Sequence, residues 1–201
     1  MIFNEMGTTM SFDVSQNQDN AELLALFAKG NRLSTISLTS RLAPIIFSQA
    51  FHMLNNRADA EDVTQEALLQ LWKIAPKWNP NRAQITTWLY RVTSNLCIDR
   101  FRKSKRVSSE EMPEVIDKTP DVDQKMQFMA RSKALYAGLK ILPDRQRQAI
   151  VLRHLEELYN PDISEIMEIS IEAVESLIAR GKRSLVSTLV PQKKALGLND
   201  D

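Results

Sequence analysis

The chain has 201 residues and a formal net charge of +1, with 26 Lys and Arg against 25 Asp and Glu, enough for one large or two small domains that each bury a core. The single cysteine, Cys97, excludes a disulfide framework within the chain and indicates a reducing compartment. No apolar run is long enough to cross a membrane and the start lacks a signal-peptide layout, so the sequence predicts a cytoplasmic protein with no membrane insertion.

The first part of the chain is predicted to form a flexible leader followed by two helices. Residues 1–20 show no sustained hydrophobic period and form that leader. Ala21–Lys29 has the apolar spacing of a short amphipathic helix, and Ser34–Leu54 that of a longer one. Pro44 lacks a backbone N–H within the second pattern, so we expect a kink or a break there.

A third helix is predicted over Ala60–Ile74, with Asp59 as its N-cap. Its apolar side faces inward, and its outer face carries Glu61, Asp62, Gln65 and Glu66. Ala75–Gln84 contains two prolines and two asparagines and is predicted to be a loop.

The remaining segments are organised around a predicted helix over Ile85–Arg106. Thr86 suits its N-cap, and Trp88 and Leu89 fall on its apolar stripe as predicted core residues. Two further strips are expected on its exposed side, one of Arg91, Asn95 and Arg102 and one of Tyr90, Ser94 and Phe101. No segment shows the alternating pattern of a strand.

Charge is divided sharply along this part of the chain. The basic block contains Arg82, Arg91, Arg100, Arg102, Lys103, Lys105 and Arg106 against Asp99 alone. Cations bind phosphate, and planar groups stack on unpaired bases, so this helix is a candidate polyanion site. A solvated helix with a basic end that suits its macrodipole is the alternative interpretation. Val107–Gln124, which follows, is acidic, contains two prolines and is predicted to be a linker.

The last part of the chain shows a helix-turn-helix pattern. Helical periodicity resumes after the linker, at Met126, Met129, Leu135, Leu139 and Leu142. After a break at Leu142–Asp144, a helix is predicted over Arg145–Leu158. Asn160 is expected to cap a short helix with Pro161 in its first position. The turn Glu168–Ser170 follows, and Ser170 can cap a final helix that reaches Leu189. Helix pairs of this kind also occur in plain bundles.

Together these patterns predict an all-α protein of two small helical domains, joined by a flexible acidic linker, the second containing a helix-turn-helix. The segments RADAEDVTQEALLQLW (57–72), NPNRAQITTWLYRVTSNLCIDRFRK (79–103) and LPDRQRQAIVLRHLEEL (142–158), with ISEIMEIS after them, closely resemble a bacterial RNA polymerase sigma factor. The resemblance is to the extracytoplasmic-function group of the sigma-70 family. It implies a leader at 1–20, sigma domain two at 21–106, a linker at 107–130, sigma domain four at 131–190 and a tail at 191–201.

The resemblance implies a role for each of three groups of residues. Those on the acidic face that docks on the polymerase large subunit are Asp62, Gln65 and Glu66. Those that capture the melted minus-ten strand are Asn79, Asn81, Arg82, Arg91, Asn95, Arg100 and Arg102, with Asp99 expected to pair with a neighbouring Arg. Those that read the minus-thirty-five duplex are Glu175, Ser176, Ala179, Arg180, Lys182 and Arg183.

The implied partners are core RNA polymerase, promoter DNA and an anti-sigma factor. Two departures from the family bear on the upstream element, because Glu175 and Leu177 stand where basic residues are usual and Asn160-Pro161 replaces a small polar start. A stand-alone helix-turn-helix regulator is the alternative, although it would have no use for the acidic face or the separate basic helix. His52 and His154 are isolated in the sequence. Without a metal spacing, phosphate loop or nucleophile constellation, we expect no cofactor and no catalysis.

Overall fold

The computed structural model describes residues 14–80, 84–107 and 122–190, and within these ranges the regular structure is entirely helical. The helices are α1 (Val14–Ala28), α2 (Arg32–Leu54), α3 (Arg57–Ile74), α4 (Ile85–Val107), α5 (Val122–Ile141), α6 (Asp144–His154), α7 (Asn160–Met167) and α8 (Ile171–Leu189), with a 3-10 turn at Ala75–Lys77. The all-α prediction is confirmed. The candidate site residues Asn81 and Arg82, the tail 191–201 and linker residues 108–121 lie outside the described residues.

Four helices begin at least two residues earlier than the apolar spacing indicates, α2 by two residues, α3 by three, and α1 and α5 by more. Helix α1 begins at Val14, inside the predicted leader, and α5 begins at Val122, inside the predicted linker. Hydrophobic periodicity marks only the part of a helix that packs against a core, so a polar first turn leaves no signal. The domain limits themselves stay predictions.

Helix α2 continues through Pro44, so the expected break does not occur there. A helical proline costs about 3 kcal/mol, because one hydrogen bond is lost and the ring crowds the preceding turn. This helix buries Leu38 and Leu42 before the proline and Ile46 after it. Burial of each such side chain contributes about 1.5–3 kcal/mol, so together they offset the cost of the proline.

Helix caps differ from the sequence prediction at three of four places. The side chain of Asn56, not Asp59, caps α3 and accepts from the Asp59 N–H at 3.0 Å. Thr86 is the second residue of α4 and is buried. Tyr159 precedes α7, so Asn160 is its first residue and makes no cap bond. In α8 the predicted cap is confirmed, because Ser170 accepts from the Ala173 N–H at 3.3 Å.

Two connected apolar clusters form the core. The first joins α1 to the inner sides of α2, α3 and α4, and contains Leu24, Leu38, Leu42, Ile46, Leu71, Ile85 and Leu89. The second joins the other end of α2, the start of α3 and the far side of α4 to α5–α8, through residues that include Met53, Tyr90, Cys97, Leu139, Val151 and Ile166. Helix α4 therefore contributes to both clusters.

Burial of α4 on a second side corrects one prediction about its faces. Tyr90, Ser94 and Phe101, expected on the exposed side, are all buried. Gln49 of α2 donates from Nε2 to the Ser94 hydroxyl at 2.8 Å and to the Tyr90 carbonyl at 3.0 Å, which fixes that side of α4 against α2. Of the predicted core residues, Leu89 is buried, and Trp88 is partly buried edge-on against Trp78.

A buried arginine ties α6 to α4. The Arg147 guanidinium is fully buried, donates to the Leu142 carbonyl at 3.0 Å and the Asp144 carboxylate at 2.9 Å, and lies 3.9 Å from the centroid of the Phe101 ring. Burial lowers the pKa of Arg147, and Asp144 opposes that shift. A desolvated cation over an aromatic face contributes about 2 kcal/mol. Sequence periodicity gave no indication of this contact, since it assigns arginine to solvent.

Close approach of α8 to α6 at Gly181 generates a stability prediction. A Cβ at this position would lie 2.7 Å from Cγ1 of Ile150. Helix propensity favours alanine by about 1 kcal/mol, but overpacking a core costs about 1–3 kcal/mol. Because the clash involves the inner carbon of a buried branched side chain, we expect Gly181→Ala to lower the free energy of unfolding, measured by urea denaturation.

The control is the same change in an Ile150→Ala background, where the clashing atom is absent. There Gly181→Ala should be neutral or stabilising. An equal effect in both backgrounds would show that the Ile150 contact is not the cause.

Candidate nucleic-acid interface

The acidic strip of α3 faces solvent. Asp62, Gln65 and Glu66 are all exposed, and Leu69, one turn further on, is 56% exposed. These four residues form a polar strip with an apolar end, which we call the α3 strip. Leu69 was not among the predicted contacts, although its place three positions after Glu66 puts a large apolar side chain on the same face of α3.

Arg100 of α4 contacts the N-terminal end of this strip. Its Nη1 donates to Asp59 at 2.7 Å and its Nη2 to Asp62 at 3.2 Å. The Arg100 side chain is partly buried, whereas Asp62 is largely exposed. Arg100, a candidate strand contact, and Asp62, a candidate polymerase contact, therefore belong to one charge cluster at the N-terminal end of α3.

Arg91 of α4 contacts the C-terminal end of α7. Its Nη2 donates to the Glu165 carbonyl at 2.7 Å, its Nε donates to the Ile166 carbonyl at 3.2 Å, and its Nη1 donates to the Glu168 carboxylate. The last carbonyls of a helix lack intrahelical partners and carry partial negative charge, so a guanidinium suits them. The structure thus places this candidate strand contact against the helix-turn-helix.

The remaining candidate strand contacts on the described part of the chain are dispersed. Asn95 lies exposed on α4, and Asn79 is exposed after the 3-10 turn. Arg102 lies 3.9 Å from Asp99, which confirms the expected ion pair, and 3.8 Å from Asp144 of α6. Both Arg102 distances exceed hydrogen-bond length, so that side chain is held loosely.

Most candidate residues of α8 are exposed on one side of the helix. Glu175, Ala179, Arg180, Lys182 and Arg183 are exposed, and Ser176 is partly buried. They flank an open cleft of about 400 Å³ between α6 and α8, lined by Gln146, Arg180, Arg183, Ser184 and Ser187. Its two guanidiniums and two hydroxyls are groups that donate to phosphate.

Three hydrogen bonds order side chains on the exposed side of α8. The Ser176 hydroxyl accepts from Arg180 Nη2 at 2.6 Å and from Nε at 3.2 Å. Glu175 Oε1 accepts from Asn160 Nδ2 at 3.4 Å. The residues three and four positions from Glu175 in α8 are apolar or acidic, so its partner comes from the first residue of α7.

A carboxylate that was not among the predicted site residues joins the end of α6 to α2. Glu156 follows α6, and its side chain is 6% exposed. It accepts from His52 Nδ1 at 2.6 Å and from the Ser48 hydroxyl at 3.1 Å, both on α2. Burial raises the pKa of Tyr136, and the nearby Glu156 carboxylate raises it further. A contact over a separation of about a hundred residues leaves no signal in local periodicity.

Within residues 14–80, 84–107 and 122–190, no group of three or more His, Cys, Asp and Glu residues is arranged to hold a metal ion. None of the helices in these ranges combines the length and hydropathy needed to cross a bilayer.

Comparison with known proteins supplies the family. The Sigma-70 region 2 family model matches residues 38–107, and the Sigma-70, region 4 model matches residues 132–185. The ECF RNA polymerase sigma factor SigW of Bacillus subtilis is 30% identical over 151 residues, which cover 70% of this chain and 80% of SigW. SigE of Mycolicibacterium smegmatis is 30% identical over 152 residues, 74% of this chain but only 58% of SigE.

Two solved structures share the fold. CnrH, solved in complex with the cytosolic domain of CnrY, aligns with a TM-score of 0.63 at 24% identity, covering 86% of this chain and 97% of CnrH. RpoE from Bartonella quintana, solved with the anti-sigma factor NepR, aligns with a TM-score of 0.56 at 20% identity, covering 75% of this chain and 93% of RpoE. On the strength of the two family models and the match to SigW, the chain belongs to the extracytoplasmic-function group of the sigma-70 family of RNA polymerase sigma factors.

Proposed function

We propose that this protein binds core RNA polymerase through α3, reads the melted minus-ten strand through α4 and the preceding loop, and reads the minus-thirty-five duplex through α8. The observation that carries the proposal is the presence of three chemically different groups of side chains on three helices. One is acidic with an apolar end on α3, one is cationic and amide-bearing on α4, and one is cationic with a groove-facing carboxylate on α8.

The α3 strip suits a basic, partly apolar partner helix. Its carboxylates and amide are exposed, and Leu69 supplies an apolar contact at its end. Aliphatic anchors beside charged groups are common in protein interfaces, where apolar burial gives affinity and charge gives orientation. A stand-alone helix-turn-helix regulator would have no use for this strip, so the polymerase test also discriminates that alternative.

We expect Glu66→Lys to weaken association with core polymerase, because it places a cation against a basic partner surface. A rim charge typically acts on the association rate and its salt dependence. The measurement is the equilibrium dissociation constant for core polymerase at two salt concentrations. Glu22→Lys makes the same charge change at an exposed position of α1 and serves as the control.

Gln65→Ala removes a polar contact without adding charge and should show a smaller loss. Both variants should retain wild-type unfolding, since surface changes usually alter stability by less than about 0.5 kcal/mol. Equal polymerase affinity for Glu66→Lys and wild type would reject the α3 strip as the docking face.

For the minus-ten element, the exposed Asn95 amide can hydrogen-bond an unpaired base, and Asn79 is exposed beside the loop before α4. We expect Asn95→Ala to reduce promoter melting, because a lost hydrogen bond typically costs about 0.5–1.5 kcal/mol. The readout is permanganate reactivity of promoter thymines in the polymerase complex.

Asn95→Ala should leave duplex binding by the helix-turn-helix unchanged, which is the internal control. Undiminished permanganate reactivity would remove Asn95 from the proposed strand contacts.

For the minus-thirty-five element, Glu175 is exposed on α8, and its Oε1 is oriented by Asn160. Near phosphate an unpaired carboxylate is unfavourable, whereas in the major groove it can accept from the amino group of cytosine. Glu175→Ala should therefore relax selection at one base pair by about 1–3 kcal/mol, measured with a randomised upstream element.

The matched comparison is Glu172→Ala, which removes a carboxylate from the same first turns of α8. The pKa of Glu172 is lowered by the backbone N–H at the start of α8 and by the Ser170 hydroxyl, so that carboxylate serves the cap. If Glu175→Ala instead improves binding to every upstream sequence by one factor, Glu175 only repels phosphate.

The proposal includes an anti-sigma factor and a cytoplasmic location. It rests on family membership and on the solved RpoE, which is held by the anti-sigma factor NepR. No catalysis is proposed, since sigma factors act by positioning polymerase on DNA.

A further inference from the structure

We propose that Asn160, the first residue of α7, is a positioning residue that sets the base preference of Glu175 on α8. The inference deepens the proposed function and rests on it, because Asn160 acts only through a carboxylate that reads a base pair. Asn160 is not among the predicted DNA contacts, and it lies on the helix that precedes α8.

The Asn160 side chain does not have the role that asparagine usually has at the start of a helix. Asparagine favours the N-cap, where its oxygen accepts from a backbone N–H of the first turn. In α7 the N-cap is Tyr159, no side chain makes a cap bond, and Pro161 follows Asn160 without an N–H of its own. The Asn160 amide is therefore not used in capping α7.

The partner of this amide is the Glu175 carboxylate. Asn160 Nδ2 donates to Glu175 Oε1 at 3.4 Å, across 15 positions of sequence. An ionised carboxylate only accepts hydrogen bonds, so the amide must turn its NH2 group toward Glu175. The distance is longer than the ordinary N–H···O distance of about 2.9–3.0 Å, so the contact orients Oε1 without locking the side chain.

This orientation leaves the oxygen of the Asn160 amide in an unfavourable place. Oδ1 is buried and accepts no hydrogen bond from the residues that the structure describes. A buried acceptor without a donor is destabilising, and such groups in native proteins need an explanation other than stability. Turning the amide over would place Oδ1 against a carboxylate, so the contact with Glu175 fixes the orientation in spite of this cost.

Both residues are held on a rigid frame. Before Asn160, Arg153 Nη1 donates to the carbonyl of the buried Leu158 at 2.8 Å. Helices α7 and α8 share one core cluster, to which they contribute Ile163, Ile166, Val174 and Ile178. The separation of the Asn160 and Glu175 backbones is therefore set by packing, and loss of the amide should not move the helices.

The contact divides the two oxygens of Glu175 between two partners. Oε1 accepts from Asn160, which leaves Oε2 to accept from the amino group of a base. A glutamate side chain loses rotamer freedom when it binds, and a partner that orders it beforehand reduces that loss. Asn160 therefore strengthens the contact of Glu175 with the cytosine amino group relative to the other three bases at that position.

The contact itself is tested by the side-chain amide signal of Asn160 in nitrogen–proton correlation spectra of the full chain, identified by its loss in Asn160→Ala. Glu175→Ala should shift this signal, because it removes the acceptor. Glu172→Ala removes a carboxylate from the same end of α8 and should leave the signal unchanged. A signal that responds to neither substitution, or equally to both, would overturn the contact.

The effect on base selection is tested with the full chain bound to core polymerase, on a promoter library that randomises the upstream element and keeps the minus-ten element constant. Asn160→Ala should lower the preference for cytosine at the position that Glu175 controls by roughly three- to tenfold, the size of one ordinary hydrogen bond. In a Glu175→Ala background, Asn160→Ala should leave the ratios of the four bases unchanged, because the group that it positions is absent.

Asn160→Asp separates positioning from a structural role. The substitution keeps the shape of the side chain, removes its donor and places a second carboxylate beside Glu175, so cytosine preference should fall at least as far as in Asn160→Ala. The helix macrodipole favours a carboxylate in the first turn, so the urea midpoint of unfolding should be retained or raised. A purely structural residue would lose stability and base selection together.

Equal cytosine preference in the wild type and in Asn160→Ala would reject the positioning role. A uniform loss of binding to every upstream sequence in Asn160→Ala would also reject it, since Asn160 would then contact phosphate directly. Failure of the proposed function is distinguishable, because Glu175→Ala alone would then change binding by one factor at all bases. In that case Glu175 reads no base, and the role of Asn160 fails with it.

Discussion

The structure depends on one helix that is buried from two directions. Helix α4 packs Ile85 and Leu89 into the cluster with α1, α2 and α3, and packs Tyr90 and Cys97 into the cluster with the C-terminal helices. Burying two sides of a helix leaves a narrow solvent-facing strip, on which Asn95 and Asp99 lie. Of the candidate DNA contacts of α4, Asn95 and Arg102 are exposed, whereas Arg91 and Arg100 are partly buried against α7 and α3.

The fold was largely predictable from local sequence, whereas the state of the site was not. Apolar spacing predicted each of the eight helices on the described part of the chain. The turn Glu168–Ser170 was predicted from the break in that spacing and from the capping hydroxyl of Ser170. Spacing could not show that Tyr90 and Phe101 are buried, because their partners come from another part of the chain. The unbroken path of α2 through Pro44 has the same origin, since tertiary packing offsets a local penalty that the sequence shows plainly.

Arginine was the residue type most often misjudged. A basic run near a candidate nucleic-acid site predicts free cations, yet Arg91 and Arg100 of that run contact groups of this chain. Arg147 of α6, which lies outside the run, does so as well. Their partners are backbone carbonyls, carboxylates on other helices and an aromatic ring, none of which is fixed by sequence neighbourhood. Charge counting along a sequence therefore locates a polyanion surface but does not say which of its cations are available in the free chain.

The turn of the helix-turn-helix has a consequence for how stability and interdomain contact are related. Glu168 adopts φ 53°, a left-handed conformation that suits glycine and costs other residues about 1 kcal/mol. Glycine here would relax the backbone of the turn and would also delete the carboxylate that Arg91 contacts. Glycine at position 168 would therefore stabilise the turn within the C-terminal half, whereas glutamate strengthens the contact of that half with α4. A thermally stabilised form selected on the C-terminal half alone would favour the residue that loosens the whole molecule.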